Sequence, residues 1–176
     1  PTGGAVEILL ERVAGPNQAW AQLRASKALP IGLEMQGAGG TLTILERQED
    51  LFLLAFPGDP LTYCQAHGAI PLPPYIDRLP DAADAERYQS VFAKRPGAVA
   101  APTASLHFDS ALLDSLRAAG IGYATITLHV GVGTFQPVRV DDLSQHRMHA
   151  EWVDVPASTL TAIQQARARG GRVVAV

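Results

Sequence analysis

Ile121-Gly122-Tyr123-Ala124-Thr125-Ile126-Thr127-Leu128-His129-Val130-Gly131-Val132-Gly133-Thr134-Phe135-Gln136-Pro137-Val138 contains the most informative feature of this chain. Ile121–Val130 is rich in β-branched and aromatic residues, the composition of a strand. It runs straight into two glycines, a hydroxyl, an aromatic ring and a proline. Glycine marks where backbone must turn or come close to something. In α/β folds the loop past a strand's carboxyl end is where ligands sit. A second polar group follows at once: His146, Met148, His149 and Glu151. Four of the five histidines fall between 107 and 151, which marks this region as a site.

Outward from this stretch, residues from 81 onward alternate between helix and strand. Asp81 or Asp84 can cap a helix running to about Ala93, and Asp109 can cap Ser110–Ala119, with Gly120 as its stop. Ala98–Ala101 reads as a small strand, His149–Val155 as another, Ser158–Arg169 as a helix and Val173–Val176 as a last strand. Such alternation implies a mostly parallel sheet. Residues 1–56 read differently. Val6–Val13, Ala19–Ser26, Thr41–Arg47 and Leu51–Phe56 are short strands, with a weaker one near Leu33–Met35. Turn residues separate them, as in a small barrel or sandwich. Leu61–His67 is a helix candidate, and the proline-rich Ile70–Tyr75 must be extended. The expected fold class is therefore α/β with an additional all-β domain: a small β-barrel over 1–60, then part of a mostly parallel α/β sheet domain over 61–176.

At 176 residues, 47% hydrophobic and 18% charged, the chain can bury a core. It has no run of apolar residues long enough for a membrane span and no secretory signal pattern. The lone Cys64 rules out an internal disulfide and suits a reducing, cytoplasmic setting. A net charge of −3 argues against broad nucleic-acid binding but permits a local basic patch at Arg87, Lys94 and Arg95. The chain begins at Pro1 without a methionine and stops on an apolar strand, so the expectation is a fragment.

Three clusters carry candidate chemistry. Pro102–Asp109 holds Ser105 and His107 between a strand and a helix, but lacks the glycines of a nucleophile elbow. The loop after Val130 permits close backbone approach at Gly131 and Gly133, yet matches neither a dinucleotide fingerprint nor a phosphate loop. His146, His149 and Glu151 are types that ligate zinc, in a spacing that matches no standard metalloprotease motif. Solvated loop histidines are the commoner case, and a histidine beside Glu151 is also suited to serve as a general base.

In this order the clusters resemble the S-adenosylmethionine:tRNA ribosyltransferase-isomerase family of queuosine biosynthesis. The matching stretches are Gly68–Ile76, Glu86–Gln89, Pro96–Ala104, Leu106–Phe108, Leu128–Val138, His146–Glu151 and Gly170–Val176. Ser105 stands where the family usually has glycine, and Val132 replaces a commonly smaller residue. The resemblance implies the middle of a longer enzyme, an inserted β-barrel domain and part of an α/β domain. It implies transfer and isomerisation of the ribosyl unit of S-adenosylmethionine onto 7-aminomethyl-7-deazaguanine at the tRNA wobble position. The product is epoxyqueuosine, with release of adenine and methionine. It implies no cofactor beyond this co-substrate and no metal. Carried over, His107, His129, His146, His149 and Glu151 are the catalytic acid–base candidates. Thr103, Phe108, Gly131, Gly133, Thr134 and Phe135 are the donor-binding candidates, with Gln136 in the same motif. The fragment alone is expected to be inactive. Its oligomeric state is left open, a monomer being the default. The alternatives are a non-catalytic RNA-binding fragment, with the barrel as its surface, and a metal-dependent hydrolase built on the histidines.

Overall fold

Alternation along the chain builds the first half. In a computed structural model, which describes residues 3–135, 142, 144 and 150–176, the chain divides into two compact units, Pro1–Pro71 and Leu72–Val176. The first holds strands β1 (Val6–Gly15), β2 (Gln18–Ala25), β3 (Glu34–Gly37), β4 (Gly40–Gln48) and β5 (Leu51–Ala55). They form one antiparallel sheet in the order β1-β2-β5-β4-β3. Every second residue of β2, β4 and β5 points inward, so Ala19, Ala21, Leu42, Ile44, Phe52 and Leu54 share a buried face. The register sets small against large, Ala19 opposite Leu54 and Ala21 opposite Phe52. Irregularities between Leu10 and Arg12, Val13 and Gly15, and Ile44 and Glu46 add twist. The sheet is curled, in keeping with the expected small barrel, with β1 and β3 as its edges.

Helix α1 (Pro60–His67) belongs to this unit, so the units divide after Pro71 rather than at the expected junction after residue 60. Asp59 starts the helix: its carboxylate accepts from the Thr62 amide at 2.7 Å and the Thr62 hydroxyl at 2.8 Å. Those bonds hold its carboxyl below the usual carboxylate range. The Tyr63 ring meets Phe56 edge-on at 5.4 Å, and His67 lies on Tyr63 at 5.1 Å. The β3–β4 hairpin is glycine-rich for this reason. A Cβ on Gly37 would strike the Tyr63 hydroxyl, and one on Gly39 would strike the His67 ring.

The second unit departs further from expectation. Of the helix expected from 81 or 84 to 93, only the turn α2 (Asp84–Arg87) forms. Asp84 does not cap it. Its buried carboxylate receives both terminal nitrogens of Arg78 at 2.6 Å and the Asp81 amide at 2.8 Å. The Arg78 hydrogen bonds pull its carboxyl down to about 2. Helix α3 (Ser110–Ala118) starts where expected, with Asp109 accepting from the Leu112 amide at 2.7 Å. Strand β6 (Thr127–His129) pairs antiparallel with β7 (Trp152–Asp154), and α4 (Ala157–Ala168) follows. The Thr159 hydroxyl ties α4 to the Thr125 carbonyl at 2.7 Å. This antiparallel pair is the unit's ladder among the described residues, which contain no parallel pair. Residues 98–101, 121–126 and 173–176, all expected strands, have no ladder partner among the described residues. A β-rich composition makes a strand only where another strand lies within hydrogen-bond reach. Among the described residues no helix is long and apolar enough to cross a membrane.

Two measurements test this account. Leu54 is wholly buried, so Leu54→Ala should cost about 2–5 kcal/mol in denaturant unfolding, whereas Leu79→Ala, at a residue 87% exposed, should stay within about 0.5 kcal/mol. Equal costs would refute the placement of the core. Asp84 titrates near 2 in the fold and near 3.8 when unfolded. Its contribution is therefore present above the unfolded value and disappears as pH falls from about 4 toward 2. The melting midpoint should drop across that window more steeply in the wild type than in Asp84→Asn; parallel curves would show that the Arg78 pair does not stabilise the unit.

Candidate functional site

Every buried backbone polar group needs a partner, and the peptide joining Val130 to Gly131 finds its partners in two other motifs. Its carbonyl, on the buried Val130, accepts from the Val99 amide at 2.8 Å and the Ala100 amide at 3.4 Å. Its N–H, on Gly131, donates to Oε1 of Glu151 at 3.3 Å. The pairing of β6 with β7, His129 opposite Trp152, delivers Glu151 to that place. Three stretches far apart in sequence, 96–108, 128–135 and 150–154, thus meet at one peptide unit.

Both candidate loops start beside this peptide. After Val130 the chain makes a short 3₁₀ turn, Val132–Phe135, with the Thr134 amide donating to the Gly131 carbonyl at 3.3 Å. Val132 is buried and anchors the turn, Gly131, Gly133 and Phe135 are half-buried, and Thr134 is exposed. After Ala100 the chain makes a second 3₁₀ turn, Thr103–His107. Ser105 is buried inside it, while Thr103 and His107 are exposed. The half-buried Phe108 packs on Phe92 at 5.8 Å. Tyr88 lies beside the Ala101 backbone of the same segment, and burial pushes its phenol above the ordinary pKa.

The structure therefore brings Gly131 and Glu151 into direct contact and seats His129 just before them. The Thr103–Phe108 loop leaves the same node through Val99 and Ala100. His129 is half-buried, and its Nε2 is the one buried side-chain nitrogen or oxygen without a hydrogen-bond partner among the described residues. His146, His149 and Gln136 lie outside the described residues. No group of three His, Cys, Asp or Glu side chains able to hold a metal occurs among the described residues. Of the three basic candidates, Arg95 is engaged by Asp154 of β7 at 2.9 Å, and Arg87 and Lys94 are exposed. Two residues escaped sequence reasoning, Gly97 and Trp152. Gly97 sits in a quoted motif, but nothing local says that it faces an imidazole. Trp152 reads as an ordinary strand residue until its cross-strand partner is known.

Comparison with known proteins agrees along the whole chain. Residues 1–176 match the family described as "Queuosine biosynthesis protein". The S-adenosylmethionine:tRNA ribosyltransferase-isomerase of Burkholderia pseudomallei (strain K96243) is 54% identical over 176 residues, covering 99% of this chain and 49% of its own. Its counterpart in Burkholderia cenocepacia (strain HI2424) is 53% identical, covering 99% of this chain and 50% of its own. The chain spans about half the length of these curated relatives. No solved structure matches it.

The contact between Gly131 and Glu151 predicts a graded response. In Glu151→Ala the Gly131 amide should exchange with solvent about threefold to tenfold faster, and Glu151→Gln, which keeps an acceptor, should restore most of the protection. Unchanged exchange in Glu151→Ala would remove this hydrogen bond from the site.

Proposed function

The chain belongs to the queuosine biosynthesis protein family, and on that premise we propose that it carries the donor loop and part of the catalytic domain of an S-adenosylmethionine:tRNA ribosyltransferase-isomerase. The reaction moves the ribosyl unit of S-adenosylmethionine onto 7-aminomethyl-7-deazaguanine at the tRNA wobble position. It yields epoxyqueuosine and releases adenine and methionine. The observation that carries this reading is the Val130–Gly131 peptide, which gathers the glycine loop, Glu151 and the approach to the His107 loop.

The chemistry asks for such a gathering. A positive sulfonium acidifies the neighbouring ribose C–H, so a placed base starts the rearrangement, and the departing adenine needs a proton from an acid. Gly131 and Gly133 let backbone approach the donor closely, Thr134 offers a hydroxyl, and Phe135 offers a ring face. Thr103 and Phe108 form the opposing wall. Exposed His107 and Glu151 are the described proton carriers, and His146 and His149 complete the set. No metal or further cofactor takes part. Exposed Arg87 and Lys94 contact tRNA phosphates, with Arg95 sharing its charge with Asp154. The curled sheet of the first unit is the family's small β-barrel module, and the α/β sheet is completed in a chain of the relatives' length. The enzyme works in the cytoplasm as a monomer.

The test is adenine release from S-adenosylmethionine and tRNA bearing the aminomethyl-deazaguanine base, in a full-length chain that contains these residues. His107→Ala and His149→Ala should each lower turnover about a hundredfold, and a chelator should change nothing. The 176 residues alone should be nearly inactive, because positioning supplies roughly 7–11 kcal/mol of a barrier and a partial cleft cannot provide it. Activity that survives both substitutions, or that a chelator abolishes, would refute this mechanism.

A further inference from the structure

Gly97, His129 and Trp152 meet in the second unit, and neither the acid–base reading nor the donor-loop reading uses their arrangement. Gly97 has φ +145°, in the region that favours glycine. A Cβ placed on it would lie 2.5 Å from Nδ1 of His129 and 2.9 Å from Nε2, and closer still to Cε1. The polar edge of the imidazole is thus turned onto the Gly97 backbone. The ring also packs against Trp152, its cross-strand partner, with centroids 4.8 Å apart and planes 38° apart.

A general acid or base must come within hydrogen-bond reach of the proton that it moves. Nε2 of His129 is closed off from solvent without a partner, and the nitrogen-bearing edge of the ring fills the space that a side chain on Gly97 would need. What the ring does supply is a rigid spacer, with its edge on Gly97 and Trp152 of β7 packed beside it. Gly97, His129 and Trp152 stand close along the chain to the groups that hold the peptide: Val99 and Ala100 on the Val130 carbonyl, and Glu151 on the Gly131 amide.

We propose that His129 is a positioning residue: gripped between Gly97 and Trp152, it sets the spacing that holds the Val130–Gly131 peptide between its partners and so fixes the shape of the 131–135 loop. Gly97 is then a position that admits no side chain, because of its φ and because the imidazole occupies the space. The inference rests on the reading of that loop as the donor site.

The experiment uses Gly97→Ala, His129→Ala and His129→Phe in the full-length chain, with kinetics of adenine release, the pH–rate profile and thermal melting. Gly97→Ala and His129→Ala should raise KM for S-adenosylmethionine about tenfold or more, since the loop is misplaced. His129→Phe keeps the spacer without the nitrogens. It should return KM to within about threefold of wild type and retain both limbs of the pH–rate profile. A folded His129→Phe whose turnover falls about a hundredfold, or whose profile loses a limb, would overturn the proposal by making His129 a proton carrier. Unchanged KM in both alanine variants would overturn it as well. Should the alanine variants fail to fold, the His129→Phe profile decides alone. A wild-type chain that releases no adenine would count against the reaction assigned above. The grip itself is then decided by hydrogen exchange of the Val99 and Ala100 amides in the 176-residue chain. Gly97→Ala should speed that exchange and His129→Phe should leave it slow; equal rates in both would refute the grip.

Discussion

The peptide between Val130 and Gly131 is the constraint on which the second unit's site depends. Its carbonyl is shared by the Val99 and Ala100 amides, and its N–H goes to Glu151. A buried carbonyl left unpaired costs roughly 1–3 kcal/mol, so the Val99 and Ala100 amides hold the buried side of the peptide, and Glu151 takes its more exposed N–H. Because the partners belong to two distant motifs, satisfying one peptide draws three segments together. The glycine loop, the His107 turn and the carboxylate of Glu151 inherit their places from that arrangement.

The first unit rests on a different principle. Its strands bury one face by strict alternation, and the core is built by setting Ala19 and Ala21 against Leu54 and Phe52. Small residues opposite large ones fill the interior without strain. The aromatic row Phe56, Tyr63 and His67 then seats α1 against the glycine hairpin, which is open only because Gly37 and Gly39 lack side chains. Apolar burial holds this unit, whereas the site in the second unit is held by hydrogen bonds between loops and short strands. The Arg78–Asp84 pair gives that unit a buried electrostatic anchor beside the motif that carries Tyr88.

For the proposed reaction this division makes physical sense. A loop that must admit a charged donor and release adenine cannot be locked by apolar packing alone, since it has to exchange contacts with the ligand. Hydrogen bonds from a single anchored peptide fix where the loop begins and leave its tip, at exposed Thr134, accessible. The imidazole of His129 packs beside that anchor, against Gly97 and Trp152.

The sequence by itself determined what short-range physics controls. Alternation placed the five strands of the first unit within a few residues of where they lie, and the capping carboxylate Asp109 marked the start of α3. The ordered motifs carry the family, and the glycine loop and the histidines mark a candidate site region. Only the tertiary structure decided the rest. Asp84 looked like a helix cap, but Arg78 claims its carboxylate, and the helix stops after one turn. Residues 121–126 have the composition of a strand, yet only Thr127–His129 finds a partner among the described residues. His129 is one of several acid–base candidates in the sequence, and only the fold shows that its Nε2 is buried without a partner and that its ring fills the space beside Gly97. In each case the outcome hangs on which distant group arrives within hydrogen-bond or van der Waals reach. Spacing along the chain does not carry that information, because pairing across a fold is settled by competition among all partners at once.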